Sequence, residues 1–219
     1  MEIINPLSGS EILIYLLGFF AQALFGARTV VQWVQSERAG RVVSPTWFWI
    51  FSLCGSAFFL VYGLIRQDVI ILFGQTISFY IYIRNLQLKQ VWNKLHWSLR
   101  WIIFPLPFML MVWAWLIAPQ RFQNIFTETN FASVALLLGG AGQLLLNFRY
   151  IYQWYFSEKA QQSLLPLGFW VISAVASLMV VYYGIIHNEP VLLVAQGMGF
   201  VVYLRNIWFA LRTRAVVAQ

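Results

Sequence analysis

Apolar and polar positions along this chain fall into long blocks, not the short alternations of a soluble fold. A helix that crosses a bilayer needs about 20 mainly apolar residues. Such runs fall near 11–35, 46–65, 69–88, 99–118, 131–156, 167–186 and 190–210. Short polar breaks separate several of them: Arg38-Ala39-Gly40-Arg41, Arg66-Gln67-Asp68, Glu158-Lys159 and His187-Asn188-Glu189-Pro190. Pro45 and Pro166 sit where a helix begins, which tolerates proline. Pro105 and Pro107 predict a bend in the fourth helix, because each lacks the N–H that the preceding turn needs. Residues 119–130 form the one stretch polar and long enough for an exposed loop or surface helix. The pattern predicts an all-α membrane protein of about seven transmembrane helices.

The blocks also repeat. Residues 16–86 align with 137–207 at a constant offset and without a gap, roughly 25 of about 70 positions being identical, more than shared hydrophobicity produces. Matching pairs include Gln22/Gln143, Arg28/Arg149, Gln32/Gln153, Glu37/Glu158, Trp49/Trp170, Gln75/Gln196, Tyr82/Tyr203, Arg84/Arg205 and Asn85/Asn206. Three helices per unit is an odd number, so the fourth helix lets both units enter the membrane the same way. This predicts two parallel three-helix repeats joined by a linker helix, a 3+1+3 plan with its pseudo-twofold axis along the membrane normal. The expected divisions are a first repeat over 11–90, a linker helix and outer loop over 91–130, and a second repeat over 131–212.

Within each unit the repeated polar and aromatic residues share faces. On the third helix Gln75, Ser78, Phe79, Tyr82 and Asn85 follow helical spacing. Pro45, Phe48, Trp49, Ser52, Ser56 and Phe59 form a stripe on the second helix, and Gly18, Gln22, Phe25, Thr29, Gln32 and Ser36 one on the first. Lipid would leave their amides and hydroxyls unpaired, so these faces are expected to point inward. They can line a polar cavity, or hydrogen-bond helix to helix beside small residues.

Composition agrees with this. Apolar residues make up 61% of the chain and charged residues 10%, too little charge to cover a soluble surface. The net charge of +7 is spread between apolar runs and forms no nucleic-acid-binding domain. It sorts by side instead. Arg38, Arg41, Arg84, Lys89, Lys94, Arg100, Lys159, Arg205, Arg212 and Arg214 fall on one side, and Arg66 and Arg121 on the other. The positive side is cytoplasmic by the positive-inside rule, which predicts an outward amino terminus and a cytoplasmic carboxyl terminus. Cys54 is alone, His96 and His187 fall on opposite sides, and no phosphate-binding glycine loop occurs. No catalytic arrangement, metal site or cofactor is expected, and the chain reads as a non-enzyme.

Arg28 and Arg149 stand out. Each lies about two helical turns inside its span, roughly 10–12 Å deep at 1.5 Å per residue. An arginine near the bilayer centre costs about 2.5–3.5 kcal/mol by insertion scales. All seven acids (Glu2, Glu11, Glu37, Asp68, Glu128, Glu158 and Glu189) fall near helix ends, away from either arginine. Backbone carbonyls, water, snorkelling to the interface or an anionic ligand can each relieve the cost. A guanidinium fork suits phosphate in particular. Arg84-Asn85 and Arg205-Asn206 end their helices at the positive side, where they serve the helix dipole or form a headgroup-binding rim.

The series Gly18, Gln22, Arg28, Gln32-Trp33, Ser36-Glu37, Ser44-Pro45, Phe48-Trp49, Ser52, Tyr62-Gly63, Asp68, Gln75, Tyr82 and Arg84-Asn85 resembles the lipid A biosynthesis N-terminal domain, and both units carry it. The second departs at Leu165, opposite Ser44, and at Gly168, opposite Trp47. More distantly, the three-helix unit is similar to PQ-loop and SWEET carriers. Gln32 and Gln153 match the PQ glutamine, but Val31 and Tyr152 replace its proline. The resemblance implies a bacterial inner membrane, multi-pass, with a periplasmic amino terminus. It implies a transporter or flippase for a phosphate-linked glycolipid of polyprenyl-phosphate sugar type, used in envelope glycan or lipid A modification. Arg28 and Arg149 would meet the phosphate. Gln22, Gln32, Trp49, Gln75, Tyr82 and their repeats Gln143, Gln153, Trp170, Gln196 and Tyr203 would hold the sugar. The partners implied are membrane lipid, the anionic glycolipid and an envelope glycosyltransferase, with no nucleic acid. The alternatives are a small soluble sugar carrier of SWEET type and a non-transporting partner of such a glycosyltransferase.

Overall fold

A computed structural model describes residues 9–120, 134–187 and 190–217. The expected outer loop therefore lies, beyond residue 120, outside the described residues, as do Glu2, Arg121, Glu128 and Glu189. The helices are α1 (Gly9–Ala39), α2 (Thr46–Arg66), α3 (Val69–Leu88), α4 (Trp97–Ile103), α5 (Leu106–Ile117), α6 (Val134–Ala160), α7 (Leu167–Ile186) and α8 (Pro190–Val217), with a 3₁₀ turn over Trp92–Lys94. No strand occurs among the described residues. The protein is an all-α membrane protein. Four spans among the described residues are long and apolar enough to cross a bilayer: Ile12–Ala39, Thr46–Arg66, Trp97–Ile117 and Leu167–Ile186.

Local chemistry sets the boundaries. Pro45 and Pro166 hold an extended backbone (ψ 149° and 161°) one residue before α2 and α7, so the missing N–H costs nothing. Asp68 caps α3 by accepting from the Ile71 amide at 2.9 Å. Gly40 and its counterpart Gln161 end α1 and α6 with positive φ (62° and 49°), the same left-handed turn in both units. The fourth span is broken between α4 and α5 at Phe104-Pro105. There Pro105 cannot donate to the carbonyl four residues back, and Pro107 fails one step later.

Within each unit the helices pack in order, α1 on α2 and α2 on α3, then α6 on α7 and α7 on α8. α5 lies against α2 and α3, so the linker belongs to the first unit's side. The two units meet through α3 against α6 and α1 against α8. Their shared core is aromatic, with Phe48, Trp49, Phe79, Tyr82, Phe169 and Trp170 among its buried residues.

Candidate functional site

The polar stripes are buried at one end of the bundle and open toward the other. Gln32, Ser36, Gln153 and Ser157 are fully buried, whereas Gln22 and Gln143, one face-repeat earlier on α1 and α6, are exposed. Gln75 and Gln196 are half-buried. A single helical face thus does not share one environment. It is covered only where α1 meets α8 and α3 meets α6.

At that closed end the first helix of each unit bonds to the third helix of the other. Gln32 donates to Asn206 Oδ1 at 2.8 Å and accepts from Asn206 Nδ2 at 3.1 Å. Gln153 and Asn85 make the same exchange at 2.9 and 3.1 Å. Just beyond, Arg205 donates to both oxygens of Glu37 at 2.6 and 2.8 Å, and Arg84 to those of Glu158 at 2.7 and 2.6 Å. Arg84, Asn85, Arg205 and Asn206, expected at a headgroup rim, all lie at this end. Both asparagines are fully buried in amide pairs, and both arginines are turned onto carboxylates of the opposite unit. The sequence shows that these residues repeat, but their partners stand 68 to 174 positions away, beyond any helical spacing.

Above this latch lie the two arginines. Arg28 Nη1 donates to Ser52 Oγ at 3.0 Å and to the Tyr82 hydroxyl at 3.2 Å. Arg149 Nη1 repeats the pattern with Ser173 at 2.9 Å and Tyr203 at 3.2 Å. Each residue is only 8% exposed, so the guanidinium is turned into the core and does not snorkel. Among the described residues the ion pairs are those of Arg84 and Arg205, and neither buried arginine has a carboxylate. Hydroxyls and ring faces stand in: Arg28 Cζ is 4.4 Å from the Phe25 ring centre and 5.4 Å from that of Tyr150, and Arg149 Cζ is 5.0 Å from Tyr150.

Tyr150 is the residue that repeat-based reading passes over. Its counterpart is Thr29, so it carries no signal of repetition, yet it sits beside both cations and packs edge-on against Tyr82 with ring centres 5.2 Å apart. Ser163, opposite Val42, was missed for the same reason. It bridges Ser44 at 2.9 Å and Asn85 Oδ1 at 2.8 Å. Trp49 and Trp170 are buried against Tyr82 and Tyr203, with ring centres 6.0 and 6.1 Å apart. At Gly168 a side chain would overlap the Tyr152 hydroxyl, so Tyr152 fills the place that Trp47 takes in the first unit.

The arrangement joins two buried guanidiniums whose partners are hydroxyl oxygens and ring faces, with no carboxylate paired to either among the described residues. Among the described residues no cluster of His, Cys, Asp or Glu has the makings of a metal site. A family model for the Lipid A Biosynthesis N-terminal domain matches the chain twice, over residues 17–87 and 138–208. The chain belongs to this family. Longer proteins match most of the chain. The chain is 27% identical over 206 residues to the lipid-A-disaccharide synthase of Chlamydia pneumoniae, covering 91% of this chain and 34% of that one. It is 28% identical over 207 residues to that of Chlamydia abortus, covering 89% and 32%. The chain thus spans about a third of the length of these curated relatives. The expectation of a non-enzyme is corrected by this finding, since the relatives that match most of the chain are named for an enzyme. No solved structure matches the chain. The protein is a lipid A biosynthesis-related membrane protein.

Proposed function

We propose that this chain binds a phosphate-linked glycolipid between its two units and carries the headgroup across the membrane within lipid A or envelope glycan assembly. The supporting observation is the pair Arg28 and Arg149. A charge taken into an apolar core without a counter-charge is retained where an anion meets it in use. Phosphate on a lipid carrier fits a site whose protein partners are all neutral, because it supplies the missing charge and accepts the fork of a guanidinium. Gln22 and Gln143, exposed on the open side, are suited to hold a sugar through their amides, with Gln75 and Gln196 deeper. The closed end carries amide pairs, two ion pairs and the Ser163 bonds to Ser44 and Asn85, polar contacts that suit units rocking against each other to alternate access. The latch then faces the cytoplasm of a bacterial inner membrane, with the amino terminus periplasmic.

A second reading has its own support. The relatives carry about two thirds of their length beyond the matched part, which favours a membrane unit that presents lipid to a disaccharide synthase or another envelope glycosyltransferase.

The test is reconstitution into liposomes with a fluorescent polyprenyl-phosphate sugar, following its movement between leaflets. Wild type is expected to move it, and the Arg28→Gln plus Arg149→Gln variant is expected to lose that movement while folding normally. Binding without movement favours presentation to an enzyme. Unaltered movement in the double variant removes the phosphate role of the arginines.

A further inference from the structure

The two arginines repeat one another, but their surroundings do not. Phe25 gives Arg28 a ring face at 4.4 Å, whereas the matching residue in the second unit is Leu146, which offers Arg149 no π face. Trp49 donates its indole N–H to Ser44 Oγ at 2.9 Å. Leu165 stands where Ser44 would be, and Trp170 Nε1 is buried with no acceptor. Arg149 Nε is buried without an acceptor too. The first unit's unpartnered buried atoms are Gln75 Oε1 and Thr76 Oγ1, an amide carbonyl and a hydroxyl on α3, neither of them a bare N–H donor. At Trp170 an apolar replacement, Leu165 for Ser44, removes the acceptor that its counterpart Trp49 has.

A buried N–H without an acceptor bears its full desolvation penalty, and more so when charged. The second unit holds two such donors, on residues 8% and 2% exposed, and each lacks an acceptor that an anionic oxygen can supply. We propose that the anion is held by the second unit, with Arg149 Nε and Trp170 Nε1 donating to oxygens of a phosphate or phosphate monoester. Both guanidiniums have hydroxyl and ring partners, but only Arg149 has a buried nitrogen without an acceptor among the described residues, and Arg28 supplies charge from the side. This inference rests on the phosphate reading above and adds which unit does the holding.

The test is isothermal titration of the full chain in maltoside micelles with decyl phosphate and, separately, sodium phosphate. Arg149→Gln and Trp170→Phe are each expected to weaken binding about tenfold or more, the loss of one charge-assisted bond. Leu165→Ser restores an acceptor to Trp170 and is expected to weaken binding while keeping every site residue. The mirror change Ser44→Leu is expected to leave affinity within about threefold. Binding of decyl phosphate alone with this ranking assigns the site to a lipid-borne phosphate, and equal binding of both probes assigns it to the phosphate group itself. Both outcomes support the proposal. Equal losses in Arg28→Gln and Arg149→Gln, with Leu165→Ser unchanged, overturn it and leave the phosphate reading standing. Absence of binding to either probe by folded wild-type protein overturns both.

Discussion

The two units solve the approach of their first two helices in opposite ways, and that yields a sharp prediction. In the first unit Ala21 on α1 faces Gly55 on α2, where an added Cβ would lie 2.9 Å from the Phe25 ring and 3.3 Å from the Ala21 carbonyl oxygen. In the second unit the pair is exchanged. Gly142 stands on α6 and Ala176 on α7, and a Cβ on Gly142 would lie 3.0 Å from the Ala176 carbonyl oxygen and 2.9 Å from Val180 Cγ2. A backbone oxygen cannot rotate away, so Gly142→Ala must push α6 from α7. Overpacking of this kind costs about 1–3 kcal/mol, against about 1 kcal/mol gained in helix propensity. The net expectation is a loss of up to about 2 kcal/mol. Ala176→Gly alone loses about 1 kcal/mol in propensity. Together the two changes recreate the arrangement of the first unit, and the double variant is expected within about 1 kcal/mol of wild type. Unfolding in mixed micelles by titration with SDS, followed by circular dichroism, measures all four corners of this cycle. Additive losses in the double variant would refute the packing argument.

Other expectations follow from the asymmetry of the latch and its neighbours. Gln32→Leu leaves Asn206 Oδ1 without its partner, whereas Gln153→Leu leaves Asn85 Oδ1 still bonded to Ser163 at 2.8 Å. Gln32→Leu should therefore be the more destabilising by about 1 kcal/mol in the same unfolding titration. Glu37→Gln breaks a half-exposed ion pair and should change stability little, because solvent screens the pair. It should nonetheless increase the spin-label distance between α1 and α8 at the latch end, read by electron–electron resonance. Gly168→Trp should unfold α7's first turn against Tyr152, and Tyr152→Val should rescue it, as judged by monodispersity on size-exclusion chromatography.

Much of the fold was legible in the sequence because lipid imposes length and the repeat imposes symmetry. The apolar runs reappear as helices because a 1.5 Å rise needs that length to cross a bilayer, and Pro45 and Pro166 mark where α2 and α7 begin. The site was legible in composition but not in pairing. Helical spacing puts Gln22, Gln32 and Ser36 on one face, yet it carries nothing about where a second helix stops covering that face. Gln22 is exposed and Gln32 buried for that reason. Spacing is equally silent on the amide partners of Asn85 and Asn206, which belong to the opposite unit. Tyr150 and Ser163 escaped because the symmetry that exposes repeated residues hides unrepeated ones.

The central claim is that the buried arginines meet a lipid phosphate. It is tested most directly by solid-state nuclear magnetic resonance of the protein in liposomes with bound decyl phosphate, measuring dipolar coupling between ³¹P and ¹⁵N-labelled guanidinium groups. The account predicts strong coupling at hydrogen-bonding range that disappears in the Arg28→Gln plus Arg149→Gln variant. Coupling that survives in that variant, or none in the wild type, would contradict it.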